Sequence, residues 1–454
     1  MSEPTTVSLV HLGCARNLID SEVMLARMAE QGCIVSGTLE GAEVGIVNTC
    51  SFIGPARAES EAVIRDLVAR KRRGELRAVV VAGCLVQRYR HALLGRFPEV
   101  DLFAEISDYQ ALATAVRALD GTRVGPRYLA AGGLREPERE GARLLATPGS
   151  YAYLRISHGC DHTCAFCAIP AIRGPHRSKP LAAVLDEARE LIGAGVKELV
   201  LVAEDSTAWG REVGLELPAL IEALAELEGE HRLRIMYAYP HRFPWGLVPL
   251  LRDHPRVVKY LDVPVQHAST RVLRAMRRAG SGEAVRAILD RLLAEVPGIT
   301  LRTTFLLGYP GETEEDVQEL LGFVRTYRLG RFGAFPFSPE EGTHGATLAD
   351  QVPEAVVEDR ITRLLEARDA NLRASQAALV GSTLEVLVDE LHGERAVAHG
   401  AMDAPEVDLV AEVQGTRATV GARIQVEVRE LDAHANLVCR PVKPASAGVG
   451  ARRP

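Results

Sequence analysis

No stretch of this 454-residue sequence is apolar for long enough to span a membrane. Its amino terminus, MSEPTTVSLVHLG, lacks both the basic region and the apolar run of a secretion signal, so the expected location is the cytoplasm. One-sided charge is also missing. The 53 Lys and Arg against 60 Asp and Glu leave a net charge of -7, which argues against bulk nonspecific binding to nucleic acid. Cysteine is sparse: 8 residues are too few for a disulfide scaffold in so long a chain, and clustered thiols in a reducing compartment read as metal ligands or catalysts. Nor is the composition that of a disordered chain, since 47% of residues are apolar and 25% charged, enough for roughly three folded domains.

What is present is an ordered alternation. Residues 7 to 87 hold three apolar runs that each end at a cysteine: VSLVHLGC at Cys14, EVGIVNTC at Cys50 and AVVVAGC at Cys84. The stretches between them carry helical apolar spacing, which predicts right-handed crossovers and a doubly wound parallel sheet in an α/β multidomain chain. The cysteines are 36 and 34 residues apart, so each falls at the same point of its unit, the carboxyl edge where parallel sheets bind ligands. A cysteine at a strand end is ordinarily only a small packing residue; threefold recurrence favours a shared site.

A Gly-, Arg- and Pro-rich segment, 121 to 150, reads as a connection. Six strand-like runs follow, YLRIS, ELVLVAED, LRIMYAY, YLDVPVQ, TLRTTFLLG and RFGAFPF, separated by helical patterns. They predict a strand-helix barrel of six rather than eight units, with functional residues at its carboxyl-terminal mouth. Beyond a polar helix over 353 to 380, the runs STLEVLVDEL, EVDLVAEV and RIQVEVREL predict a small β-barrel. The expected divisions are 5–120, 146–376 and 377–443, with residues 444–454 an aperiodic, disordered tail.

The segment HGCDHTCAFCAIP sets Cys160, Cys164 and Cys167 at spacings of four and three directly after the first barrel run. Three thiolates on one compact loop suit a four-iron cube, which then keeps one iron open to a small molecule. A zinc knot is the competing reading, with His158 and His162 nearby, but neither histidine has finger spacing. This C-x-x-x-C-x-x-C loop resembles the signature of the radical S-adenosylmethionine (SAM) enzymes. The resemblance implies that the open iron chelates SAM and that an electron from the cluster cleaves it to a deoxyadenosyl radical, the protein supplying position. Phe166 is expected to pack beside the cluster and Ile169-Pro170 to set the loop exit.

Over about Thr5 to Val442 the order of domains is similar to that of the methylthiotransferases, which join a three-cysteine domain, a radical SAM core and a small TRAM barrel. The resemblance maps a second, auxiliary 4Fe-4S cluster onto Cys14, Cys50 and Cys84, in GCARNLIDSE, NTCSFI and AGCLVQRY. It implies insertion of a methylthio group into an unactivated C-H bond, one cluster making the radical and the other delivering sulfur. It also implies SAM contacts from Glu204, at the end of the second barrel run, and from Gly308 in LLGYPGETEED, where Thr313 reads as a helix cap. No catalytic residue is assigned beyond the cluster ligands. Cys33 and Cys439 are expected in cores, Arg302 as an SAM contact or a barrel ion pair, and RAMRRAG (Arg274, Arg277, Arg278) as a solvated helix face.

One branch of that family modifies an adenosine of transfer RNA, the other the β carbon of an aspartate in the small-subunit ribosomal protein of the decoding centre, uS12. GCARNLIDSE, LDVPVQHAS with its His267-Ala268, and FGAFPFSPEEGT resemble the ribosomal-protein branch. The implied partners are that protein or an assembling subunit, an electron donor and a sulfur source, with no membrane and with the ribosomal protein favoured over direct transfer-RNA binding. Residues 377–454 hold 8 Lys and Arg and 11 Asp and Glu, a balance of -3, so the last domain is expected to offer Asp403, Glu406 and Asp408 to a basic protein. A noncatalytic iron-sulfur scaffold or redox sensor is the reading from another class; it leaves the barrel unexplained.

Overall fold

The computed structural model describes residues 4–106, 108–119, 125–131 and 141–442. The expected tail at 444–454 lies outside them. Six parallel strands, β1 (Thr6–His11), β2 (Ile34–Ser36), β3 (Val44–Thr49), β4 (Ala78–Gly83), β5 (Leu102–Ala104) and β6 (Arg127–Leu129), form the first sheet in the order β2-β1-β3-β4-β5-β6. β3 and β4 are buried along their whole length, as central parallel strands must be. Helices cover both faces. Ala15–Glu30 closes one core with Val7, Ile46 and Val80, and Gly54–Arg72 closes the other with Val47, Val79 and Val81. β6 lies inside the segment expected to be a bare connection.

The second sheet begins at β7 (Tyr151–Arg155), after which β8 (Ser157–His158) and β9 (Arg177–Ser178) make a small antiparallel ribbon flanking the cysteine loop. Then come β10 (Glu198–Val202), β11 (Arg232–Ile235), β12 (Val257–Asp262), β13 (Thr300–Leu307) and β14 (Arg331–Pro336). All pair in parallel in the order β14-β13-β12-β11-β10-β7, an open six-stranded partial barrel, as the sequence pattern predicts. Thr313 caps its helix reciprocally with Asp316.

The polar helix runs Glu354–Ala377. A closed barrel follows, built from β15 (Thr383–His392), β16 (Arg395–Gly400), β17 (Ala411–Gln414), β18 (Arg423–Leu431) and β19 (Leu437–Pro441). Cys439 is in its core and Cys33 in that of the first sheet, both buried.

The loop after β16 docks into the amino-terminal end of the partial barrel. Asp403 accepts from Arg331 at 2.8 Å, Glu406 from the Tyr153 hydroxyl at 2.8 Å, and Asp408 from the Tyr260 hydroxyl at 2.6 Å. Arg234 donates to the carbonyl oxygens of Gly400 and Ala401. The three carboxylates expected to meet a partner are therefore already bonded within the molecule, Asp403 buried and Glu406 still exposed; a net charge counts charges without showing which are already paired. Arg302 is a structural ion-pair partner, 3.0 Å from Asp262 and 3.5 Å from Asp408.

Candidate active site between two cysteine triads

The first triad forms where the strand order reverses. Cys14 precedes Ala15–Glu30, Cys50 follows β3, and Cys84 opens the short helix Cys84–Tyr89 after β4. Two glycines permit the approach. Gly13 (φ +102°) has room for no side chain, since a Cβ there would lie 3.2 Å from the Cys50 sulfur. At Gly83 (φ +95°) a Cβ would lie 2.8 Å from the Thr49 backbone, so only glycine lets β4 end beside β3. Cys50 is pinned by Ser60, whose hydroxyl donates to the Cys50 carbonyl at 2.8 Å and accepts from its N–H at 3.0 Å.

The second triad occupies the loop between β8 and the helix Ile169–Arg173. Gly159 (φ +73°) sits against Pro175, where a Cβ would clash at 2.0 Å. The Cys160 N–H donates to Gly174 and the Cys167 N–H to Cys164, both at 3.1 Å. Phe166, between the last two ligands, packs with Ala165, Met276 and Tyr309. Pro170 begins the exit helix. The three cysteines line a cleft of about 720 Å³ that also reaches Arg88, Arg277 and His344.

Arginines from across the molecule reach both triads. Arg173 donates to the Cys84 sulfur at 3.3 Å and to Asp20 at 2.8 Å, and Arg155 of β7 donates to the other Asp20 oxygen at 2.8 Å. Asp20 lies on the first helix, so this bridge joins the first sheet's helix to β7 and to the helix that follows the second triad. Arg278 stands 3.6 Å from the Cys164 sulfur and 3.8 Å over the Tyr239 ring, whose other neighbour is His162, stacked at 3.6 Å. The expectation of a solvated face thus fails for Arg278, which is buried: Arg277 takes a left-handed φ of +51° and turns the chain back on itself. His162 is taken by Asp205 at 2.7 Å, and Asp205 also accepts from Thr207.

Burial raises the thiols in general: Cys160 is pushed up to about 12, and Cys50 and Cys167 up to about 11. Cys14 goes the other way. Burial opposes its ionisation, but Arg16, Arg173 and the Asn17 N–H together lower it. Cationic donors aimed at sulfur suit thiolate ligands of an anionic cluster. Among the described residues no group of three or more His, Cys, Asp or Glu is placed to hold a single metal ion. Three thiolates at each site are a ligand set that a four-iron cube accepts while keeping one iron open.

Glu204 lies two residues past β10, and its Oε2 is buried without a hydrogen-bond partner. An unsatisfied buried carboxylate oxygen at the barrel mouth suits a ligand ammonium. Gly308 is not brought to the site. Its N–H donates to Glu312 at 3.0 Å and a Cβ there would lie 2.3 Å from Val357, so packing against the long helix explains the glycine. Asp20, Arg16 and Arg173 are assigned no role from the sequence, although Arg16 stands two residues after one ligand and Arg173 six after another.

A partial six-stranded barrel with this loop at its mouth defines a radical SAM enzyme, and the family model of the radical SAM superfamily matches residues 154–324. Models of uncharacterized protein family UPF0004 and of the TRAM domain match 6–105 and 380–442. The chain is 41% identical to the ribosomal protein uS12 methylthiotransferase RimO of Anaeromyxobacter sp. (strain K), covering 94% of this chain and 91% of that one. It is 39% identical to the protein of the same name from Geotalea uraniireducens (strain Rf4), over 93% and 96%. The chain belongs to the RimO family of methylthiotransferases. Among solved structures, the radical SAM methyltransferase TsrM of Kitasatospora setae aligns with a TM-score of 0.54 at 18% identity, covering 75% of this chain and 77% of that one. The cobalamin-dependent radical enzyme OxsB aligns with 0.51 at 15%, over 76% and 55%; these likenesses concern the fold alone.

Proposed function

We propose that this chain, in the cytoplasm, adds a methylthio group to the β carbon of an aspartate in ribosomal protein uS12. Its cosubstrate is SAM, and its two 4Fe-4S clusters are held by Cys160, Cys164 and Cys167 and by Cys14, Cys50 and Cys84. The observation that carries this reading is the pair of thiol triads, one from each sheet, with Asp20 of the first helix bonded to Arg155 of the second sheet and to Arg173 just past the cysteine loop. When bound, these groups supply radical chemistry and a sulfur to transfer. The residues' own tasks are positional. Arg173 and Arg278 offset thiolate charge, Glu204 offers a carboxylate oxygen to the amino group of SAM, and the loop at 401–408 closes the barrel floor against water.

The domains we assign are 5–120, extended by β6, then 146–376 and 377–443. The partners are uS12, free or in an assembling subunit, together with an electron donor and a sulfur source. The test is anaerobic reconstitution, metal analysis, and mass spectrometry of uS12 and transfer RNA after incubation with SAM and a reductant. About eight irons per chain and methylthioaspartate in uS12 are expected. Stoichiometric zinc with background iron would sink the cluster assignment, and methylthioadenosine in transfer RNA would move the chain to the other branch.

A further inference from the structure

The substrate in this reading carries its own charge beside the reacting carbon: the β carbon of an aspartate is one bond from the carboxylate. A site that reads aspartate is served by a cation near the reacting carbon, and Arg16 is one that lies beside the first triad. It follows Cys14 by two residues, donates to the carbonyl of Ala203 at the end of β10 at 3.1 Å, and lies 5.1 Å over the ring of Tyr237. It thus reaches from the first triad across to the barrel mouth, and it acts electrostatically on Cys14 and on Cys167.

The other buried arginines beside the triads are committed. Arg173 and Arg155 each hold the Asp20 carboxylate at 2.8 Å, and Arg302 holds Asp262 at 3.0 Å. Arg278 donates to the carbonyl of Pro264 and lies behind the Tyr239 ring. The nearest carboxylate to Arg16 is Glu204 at 3.8 Å, beyond hydrogen-bond reach, and the Arg16 side chain keeps 16% of its surface accessible. Arg16 is mostly buried and donates to the Ala203 carbonyl and to the Cys14 sulfur, but with no carboxylate in bonding range its remaining N–H groups are open to an incoming one.

We infer that Arg16 receives the side-chain carboxylate of the substrate aspartate and so fixes its β carbon between the two triads. The inference rests on the proposed substrate. Arg16 is then the residue that distinguishes aspartate from asparagine.

The test titrates the full-length reconstituted enzyme, with SAM present, against purified uS12 and against uS12 whose target aspartate is changed to asparagine. Iron is measured for every variant. The unaltered enzyme is expected to prefer the aspartate form by about tenfold or more. In Arg16→Gln the two forms should bind within about twofold, and Arg16→Lys, which keeps charge but not the fork, should fall between. If Arg16→Gln loses iron, Arg16→Lys decides: a reduced preference supports the assignment. An iron-replete variant with the full preference, or an unaltered enzyme that binds and modifies uS12 yet treats both forms alike, overturns the role of Arg16 and leaves the substrate standing. Failure of the unaltered enzyme to bind or modify uS12 overturns the substrate reading, and this inference with it.

Discussion

Asp20 and Arg155 meet at 2.8 Å with each side chain only 1% exposed, joining the first helix of one sheet to the first strand of the other. Removing one member of a buried pair strands the other, at a cost of about 3–5 kcal/mol. Asp20→Asn, which also deprives Arg173 of its carboxylate, is expected to lower the unfolding midpoint accordingly and to weaken iron retention at the first triad. Denaturant titration with parallel iron analysis measures both; unchanged stability would show that the clamp is not what joins the sheets.

The two triads should separate by function. Replacing Cys160, Cys164 and Cys167 by Ala is expected to abolish reductive cleavage of SAM, seen as loss of deoxyadenosine. Replacing Cys14, Cys50 and Cys84 by Ala should leave some deoxyadenosine while stopping methylthiolation. Full product from the second variant would refute this division of labour.

Arg278 tests how the second cluster is tuned. Its guanidinium, 3.6 Å from the Cys164 sulfur, would stabilise the more negative, reduced state of a cluster held there. Arg278→Gln is therefore expected to shift the cluster potential to more negative values with iron content retained. Potentiometric titration followed by electron paramagnetic resonance reads this directly, and an unmoved potential would confine Arg278 to packing.

These residues show what the sequence made legible. The strand-end cysteines stood out because β3 and β4 are uninterrupted apolar runs, and the cysteine loop because its ligands are local. β2, β5 and β6 have three residues each, too short for a period to register, and β16 and β19 also escaped notice. Arg278 was hidden by a backbone reversal at Arg277 that no side-chain pattern announces. Gly308 misled because glycine marks any close approach, and here a helix rather than a cofactor makes it.

His399 supplies a pH dependence. Burial alone would lower its pKa, but Glu198 at 3.2 Å and Asp389 at 2.7 Å outweigh burial and raise it, with Arg232 and Arg234 on the far side of Glu198 and Tyr151 edge-on at 6.0 Å. A folded-state pKa above the unfolded value of about 6.5 stabilises the protein below that pH, and the contribution is lost as pH rises through the folded value. Thermal unfolding of the wild type relative to His399→Gln should thus show an advantage at pH 6 that shrinks toward pH 9. An advantage that grows with pH would reverse the assignment.

The loop that fills the barrel floor comes from residues 401–408, near the end of a 454-residue chain. During synthesis, β7 to β14 emerge well before the segment that satisfies Arg234, Tyr260 and Arg331. Arg234, Tyr260 and Arg331 therefore gain these partners only after residues 401–408 have been made. Vectorial synthesis puts completion of the barrel last, so a nascent chain cut short before β16 lacks a closed reaction chamber even though every cysteine ligand is already present.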